Sequence, residues 1–387
     1  MDRAAALFEW LVDGAPGAAA APDVAARLAD GLCAAGVPLD RLGVFVTTLH
    51  PSVLGRAFRW NRGEAVKVGE LTLAIRDSPT FRQSPVNVAM ESRRELRLRV
   101  AAGEGLAEFA VARELAAEGF TDYLCLPLPF LNGETQAVTF ATKAAAGFGA
   151  ADLEVLRDVA RPLARVAEIL ALRRTASNLL DTYVGHHSGE RILAGRIFKG
   201  SIETLQAVIW FSDLRGFTEL SARVPARAVI DTLNELFDCQ VPAIEKCGGE
   251  VLKFMGDGLL AIFPFTSADE AAARCAAALG ASDAAFEALA RRNLSASSPI
   301  AFGLALHVGE VAYGNIGGSS RLDFTAIGAA VNLAARLEGL TGKLGRRLVV
   351  SAAFAARADR PLVELGSFEL KGVAGTEKVF APAERPA

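Results

Sequence analysis

Phe211-Ser-Asp-Leu-Arg-Gly-Phe-Thr218 and Gly248-Gly-Glu-Val-Leu-Lys-Phe-Met-Gly-Asp-Gly258 decide how this chain is to be read. In each, an apolar run with the look of a buried strand ends on an aspartate, Asp213 or Asp257, followed at once by glycine or by a Gly-containing turn. Strands that end this way deliver two carboxylates to the rim of one sheet. Magnesium prefers carboxylate oxygens and fills its other positions with waters and substrate phosphates. Taken singly, Asp213 reads equally well as a helix N-cap and Asp257 as a hairpin turn residue. Downstream, Arg321-Leu-Asp-Phe-Thr-Ala-Ile-Gly-Ala-Ala-Val-Asn-Leu-Ala-Ala-Arg336 adds a threonine, an asparagine and an arginine. Carboxylates for metal and polar groups for a nucleotide point to phosphorus chemistry.

Working outward, Ala207-Val-Ile-Trp-Phe211 reads as the strand that delivers Asp213. The turn after it opens a helix at Gly216, Phe217 and Thr218, whose free backbone N–H groups suit phosphate oxygens. Apolar spacing predicts a helix from Ala226 to Cys247, stopped by Gly248-Gly249. Glu250 to Phe263 reads as a hairpin about Gly256-Asp257-Gly258, with Lys253 expected to share a face with Asp257 by alternate-residue parity. Ser267-x-x-Glu270 is a capping box opening an Ala-rich helix. Ile300 to Val308 alternates bulky and small residues as a strand does, and Ala329 to Leu340 reads as a helix presenting Asn332 and Arg336 on one face. This order predicts an α+β sandwich with helices over one sheet.

Toward the N-terminus, residues 1–150 mix strand and helix patterns. Arg41 to Leu49 reads as a strand, and Thr121 to Phe130 with Gln136 to Thr142 as a hairpin around Asn132-Gly133. Residues 151–200 hold a long helix and a polar, Gly-containing connector. In the helix Leu153, Leu156, Val159, Leu163, Val166, Ile169, Leu170, Leu172, Leu179 and Leu180 recur at 3- and 4-residue steps. Such a stripe suits either a parallel dimer or packing on the chain's own N-terminal part. Pro162 is expected to kink it.

At 387 residues, two domains are the expectation. With 51 % apolar and 22 % charged residues the composition is that of a soluble globular protein, and no apolar stretch approaches the ~20 residues of a spanning helix. A net charge of −3 argues against nucleic acid as partner. The five cysteines are scattered without a C-x-x-C, so disulfides and zinc are not expected and a cytoplasmic location is. His50, His186, His187 and His307 show no metal spacing.

The three motifs, in this order and spacing, resemble the catalytic domain of class III nucleotidyl cyclases over residues 201–387, within a ferredoxin-like fold. The resemblance implies that Asp213, Asp257 and the carbonyl of Leu214 hold two Mg2+ or Mn2+ ions per active site. It implies that Lys253 and Thr325 read the base, that Asn332 orients ribose and that Arg336 stabilises the transition state. Lys371, in Glu369-Leu-Lys-Gly-Val, matches a lysine near the terminal phosphates of some members. It also implies a homodimer with active sites at the interface, and ATP as substrate. Threonine at 325 is the mark of a subgroup associated with bicarbonate sensitivity. Adenine offers N1 as acceptor and its 6-amino group as donor to Lys253 and Thr325, whereas guanine meets Lys253 with a donor. The expected activity is adenylate cyclase, with a guanylate cyclase or a catalytically silent nucleotide-binding dimer as alternatives. Residues 1–150 resemble a GAF sensor domain through the hairpin, the exit Gly147-Phe-Gly-Ala-Ala-Asp-Leu153 and the long helix. The resemblance implies a small-molecule ligand there, against the alternative of plain dimerisation.

Overall fold

The computed structural model describes residues 4–48, 53–76, 78–196, 198, 200, 202–296, 298–318, 322–373 and 375–383. His50 and Arg321 lie outside them. The chain divides into two compact units, Met1–Leu179 and Leu180–Ala387. Both are mixtures of helices with a largely antiparallel sheet, so the α+β expectation holds.

The first unit opens with helices α1 (Ala5–Val12) and α2 (Ala21–Ala34). Strands β1 (Arg41–Thr47), β2 (Val53–Asn61) and β3 (Lys67–Thr72) follow, then short helices α3 (Leu73–Arg76) and α4 (Pro79–Arg82) and helix α5 (Pro85–Ser92). Strand β4 (Leu96–Leu98), helix α6 (Ala110–Ala117) and strands β5 (Asp122–Pro129) and β6 (Thr135–Thr142) complete a six-stranded sheet in the order β3-β2-β1-β6-β5-β4. Asn132-Gly133 lies in the β5–β6 connection, with Gly133 at φ +87 as left-handed turn positions require. One sheet face packs against α1, α2 and the start of the long helix α7 (Ala150–Val184); the other packs against α5 and α6.

Along helix α7 the surroundings of the apolar stripe change. Leu153, Leu156, Val159, Leu163 and Val166 are buried in the unit's own core. Further along, Ile169, Leu172, Leu179 and Tyr183 are exposed, and with Ala176 they advance in steps of 3, 4, 3 and 4 residues. Pro162 sits inside the uninterrupted helix, buried.

In the second unit helix α8 (His186–Leu193) precedes strand β7 (Ile202–Leu214). Helices α9 (Phe217–Arg223) and α10 (Ala226–Lys246), the hairpin β8 (Glu250–Met255) and β9 (Gly258–Phe265), and helix α11 (Ala268–Ser295) follow. Next come β10 (Phe302–Gly317), β11 (Leu322–Ile327), helix α12 (Ala329–Lys343), strand β12 (Leu348–Ser351), the short α13 (Ala352–Ala355), and β13 (Leu362–Glu369) with β14 (Thr376–Pro382). The sheet runs β13-β14-β12-β10-β7-β9-β8, with β11 paired to β10. Helices α10 and α11 cover one face through Leu236, Ile244, Cys275, Leu279 and Phe286. On the other face the β10–β11 hairpin and α12 bring Phe324, Ala326, Ala330 and Ala334 against Ile209, Leu252 and Leu260. The central strands are therefore buried on both faces, which explains the unbroken apolar run from Ala207 to Trp210. No helix of the described residues is long and apolar enough to cross a membrane.

Candidate active site

Asp213 and Asp257 meet because β7 pairs with β9 in a register that sets Asp213 opposite Gly258. The β8–β9 connection is the two residues Gly256 and Asp257, between the paired Met255 and Gly258. Gly256 takes φ +66, the first-position glycine of a tight hairpin turn. Gly258 leaves room where space is tight: a Cβ there would stand 3.1 Å from the Ser212 carbonyl and 3.3 Å from Asp213 Oδ1. The two carboxyl groups lie close enough for each to feel the other's charge. Burial, then the negative charges of Asp257 and Glu338, push the Asp213 carboxyl up to about 7. A divalent cation would displace the proton that this crowding favours on Asp213. Among the described residues no cluster of three His, Cys, Asp or Glu side chains forms a closed metal site. Two carboxylates and a carbonyl instead suit an ion that keeps waters and phosphate oxygens, as magnesium does.

The end of β7 is fixed from behind. Buried Gln240 on α10 accepts from Ser212 Oγ at 2.6 Å and from Trp210 Nε1 at 3.4 Å. After Leu214 the chain turns through Gly216 at φ +72, and α9 begins at Phe217. Phe217 and Thr218 lie in its first turn, where backbone N–H groups have no intrahelical acceptor.

Lys253, on β8, donates to Asp323 Oδ2 at 3.1 Å. Asp323 and Thr325 are alternate residues of β11 and share a strand face. The Thr325 hydroxyl is buried and has no hydrogen-bond partner among the described residues. Lys253 lies in β8 and Asp257 in the turn just after it, so the strand parity expected to relate them runs only as far as Met255.

Helix α12 runs antiparallel to β10. A Cβ on Gly309 would meet the Ala330 methyl, and one on Gly303 would meet the Thr341 hydroxyl. Asn332 and Arg336 are exposed on one face, and among the described residues neither side chain has a hydrogen-bond or ion-pair partner. Glu338, whose charge acts on Asp213, follows Arg336 by two residues, about 200° around the helix. Arg336 therefore leaves α12 on the side roughly opposite Glu338, exposed to solvent. Lys371 is exposed in the β13–β14 connection, at the sheet edge opposite β8, and meets none of these groups.

Some neighbours were not singled out from sequence. Asp323, two residues before Thr325, is an alternate-residue signal that the sequence does carry. Glu250, Tyr313 and Ser188 form a buried hydrogen-bonded set, with Tyr313 OH on Glu250 Oε1 at 2.9 Å and on Ser188 Oγ at 2.8 Å. That contact docks α8, which the sequence presented only as a polar connector, onto the strand carrying Lys253.

Residues 201–381 match the model of the adenylate and guanylate cyclase catalytic domain. The chain is 32 % identical over 153 residues to an adenylate cyclase of Anabaena cylindrica, across 39 % of this chain and 30 % of that protein. It is 31 % identical over 169 residues to adenylate cyclase 1 of Rhizobium meliloti (strain 1021), across 42 % and 25 %. It thus spans a third or less of the length of these relatives. The crystal structure of the adenylyl cyclase CyaB from P. aeruginosa is similar at 26 % identity and TM-score 0.42, over 48 % of this chain and 97 % of that one. Residues 201–381 of this chain belong to the class III adenylate and guanylate cyclase catalytic domains.

Proposed function

We propose that the chain is an adenylate cyclase, converting ATP to 3′,5′-cyclic AMP and pyrophosphate, and that it works as a homodimer with two shared active sites. The observation that carries the substrate choice is the buried, unpartnered Thr325 hydroxyl on the strand face of Asp323, the acid bound to Lys253. A hydroxyl oxygen left without a donor suits the 6-amino group of adenine, and an ammonium held by Asp323 suits N1. Guanine would set N1–H against the ammonium, and an unmet buried polar group costs about 1–3 kcal/mol.

The dimer is supported by the direction of Arg336. An arginine roughly opposite Glu338 on α12, exposed and without a partner, is available to a second copy, whose aspartates it would face. In this reading Asn332 holds the ribose and Arg336 meets the charge that builds on the α-phosphorus as the ribose 3′-oxygen attacks and pyrophosphate leaves. Asp213, Asp257 and the Leu214 carbonyl would hold two Mg2+ or Mn2+ ions, which supply activation of the 3′-oxygen and neutralisation of the triphosphate. Gly216, Phe217 and Thr218 would offer backbone N–H groups to phosphate oxygens, and Lys371 would reach the terminal phosphates only from the partner chain. Residues 1–150 we take as a GAF-like sensor whose state passes along α7 and α8; the bonds of Ser188 and Tyr313 to Glu250, at the start of β8, support a route from that connector to the base-reading strand.

Incubation of the full chain with ATP or GTP, with magnesium or manganese and beside Asp257→Ala, tests the reading. Cyclic AMP from the wild type alone is the expected result. Cyclic GMP as main product would favour a guanylate cyclase, and no product from a verified dimer would favour a silent nucleotide-binding regulator.

A further inference from the structure

Arg215, in the turn between Leu214 and Gly216, is not directed at solvent. Its backbone N–H donates to the Ala301 carbonyl at 2.8 Å. Its guanidinium runs inward, and Nη2 donates to the Arg346 carbonyl at 3.1 Å, just beyond the C-terminal end of α12. Two glycines leave it the passage. A Cβ on Gly303, the register partner of Asp213, would stand 3.2 Å from Arg215 Nη2 and would collide with Glu338 Oε1 and Thr341 Oγ1. A Cβ on Gly342 would collide with Arg215 Nη1. Neither glycine has positive φ, so what they supply is space rather than backbone freedom. Glu338 accepts from Thr341 Oγ1 at 3.1 Å and lies within the field of the Arg215 charge. A cation at the carbonyl end of a helix, with an acid beside it, is favourably placed.

We propose that Arg215 is a positioning residue: threaded between Gly303 and Gly342 to the Arg346 carbonyl beyond the end of α12, it presets the turn that offers Asp213 and the Leu214 carbonyl to a divalent cation, with the Glu338 charge nearby favouring the guanidinium. The inference deepens the cyclase reading and rests on its metal site. Arg215 also links the metal-bearing turn to the segment just beyond the C-terminal end of α12. A rival role is a rivet that adds stability and does nothing for the metal.

The test uses the full chain as wild type, Arg215→Met, Arg215→Lys and Glu338→Gln. Free Mn2+ is titrated by electron paramagnetic resonance with and without ATP, cyclisation is followed against Mg2+ concentration, and melting is recorded in chelator. Loss of the guanidinium should weaken Mn2+ binding by about tenfold or more, the scale of outer-shell changes at metal sites. The Mg2+ concentration for half-maximal rate should rise in parallel, while the KM for ATP at saturating metal stays within about twofold. Arg215→Lys should recover part of the affinity, and Glu338→Gln should show a smaller loss. Mn2+ isotherms that superimpose on wild type, or that weaken only in proportion to the fraction melted, would overturn the proposal. A wild type that binds Mn2+ yet forms no cyclic nucleotide counts against the cyclase reading alone, and the isotherms still decide the role of Arg215.

Discussion

At the scale of single residues, the crowding of Asp213 and Asp257 strains the fold where the metal site is proposed. With its carboxyl raised to about 7, Asp213 keeps a proton in the folded chain that the unfolded chain loses near 3.8. The contribution of this group to the stability of the metal-free protein is therefore full below about 4 and is lost as pH rises through about 7. Asp257→Asn should raise the melting temperature in chelator at pH 7, flatten that pH dependence, and abolish cyclisation. A lower melting temperature than wild type would show that the pair is not repulsive. His307 acts in the opposite sense. Buried, with Nδ1 2.8 Å from Ser351 Oγ, it is pushed down to about 4 by burial. Its contribution is complete above about 6.5 and is lost as pH falls toward 4, up to about 3 kcal/mol. His307→Gln should lose this slope in denaturant titrations between pH 7 and 4, whereas an unchanged slope would place it elsewhere. Asp323→Asn should loosen Lys253 and narrow the preference for ATP over GTP, read as the ratio of kcat/KM values. Of these residues, Asp213, Asp257, Asn332 and Arg336 stood out in the sequence by type and spacing, and Lys253 and Thr325 through the motif resemblance. Arg215 and Glu338 did not, since a charged residue in a turn or on a helix is ordinary until its burial is known.

At the scale of elements, α7 divides into two halves with different tasks. Its first half is core, closing the N-terminal sheet with Leu156, Val159 and Leu163. Its second half leaves Ile169, Leu172, Leu179 and Tyr183 in solvent at heptad spacing, with Leu172 68 % and Tyr183 81 % exposed. An apolar a/d seam with nothing on it suits a second copy of itself. The pair Leu172→Glu and Leu179→Glu should lower the sedimentation mass toward monomer and reduce cyclase activity most at low protein concentration. Unchanged mass would remove α7 from the dimer. The periodicity was legible in sequence, but not where it changed partner, because core and seam both repeat every three or four residues.

At the scale of the whole molecule, shared sites give an arithmetic test. Asp257→Ala and Arg336→Ala should each be inactive alone. Mixed and allowed to exchange, half the dimers would be heterodimers with one of two sites intact, giving about a quarter of wild-type activity. No recovery would argue that each chain builds its site alone. Removal of residues 1–150 should change both basal rate and dimer strength; a truncated protein equal to wild type in both would detach the first unit from regulation.

Residue type and order were already present in the sequence: two strand-end aspartates, and an asparagine and an arginine one helical turn apart, while Lys253 and Thr325 were tied to a base only through the family resemblance. These follow from residue type and short-range spacing, where turn glycines and side-chain period act directly. Only the tertiary structure decided which groups meet. It paired Asp213 with Gly258 across β7 and β9, joined Lys253 to Asp323, left Arg336 exposed on the side of α12 roughly opposite Glu338, and opened the passage for Arg215. Each depends on register, on helix rotation or on the absence of a Cβ in a neighbouring strand. Those are long-range packing outcomes, set by the burial of whole faces rather than by any local run of residues.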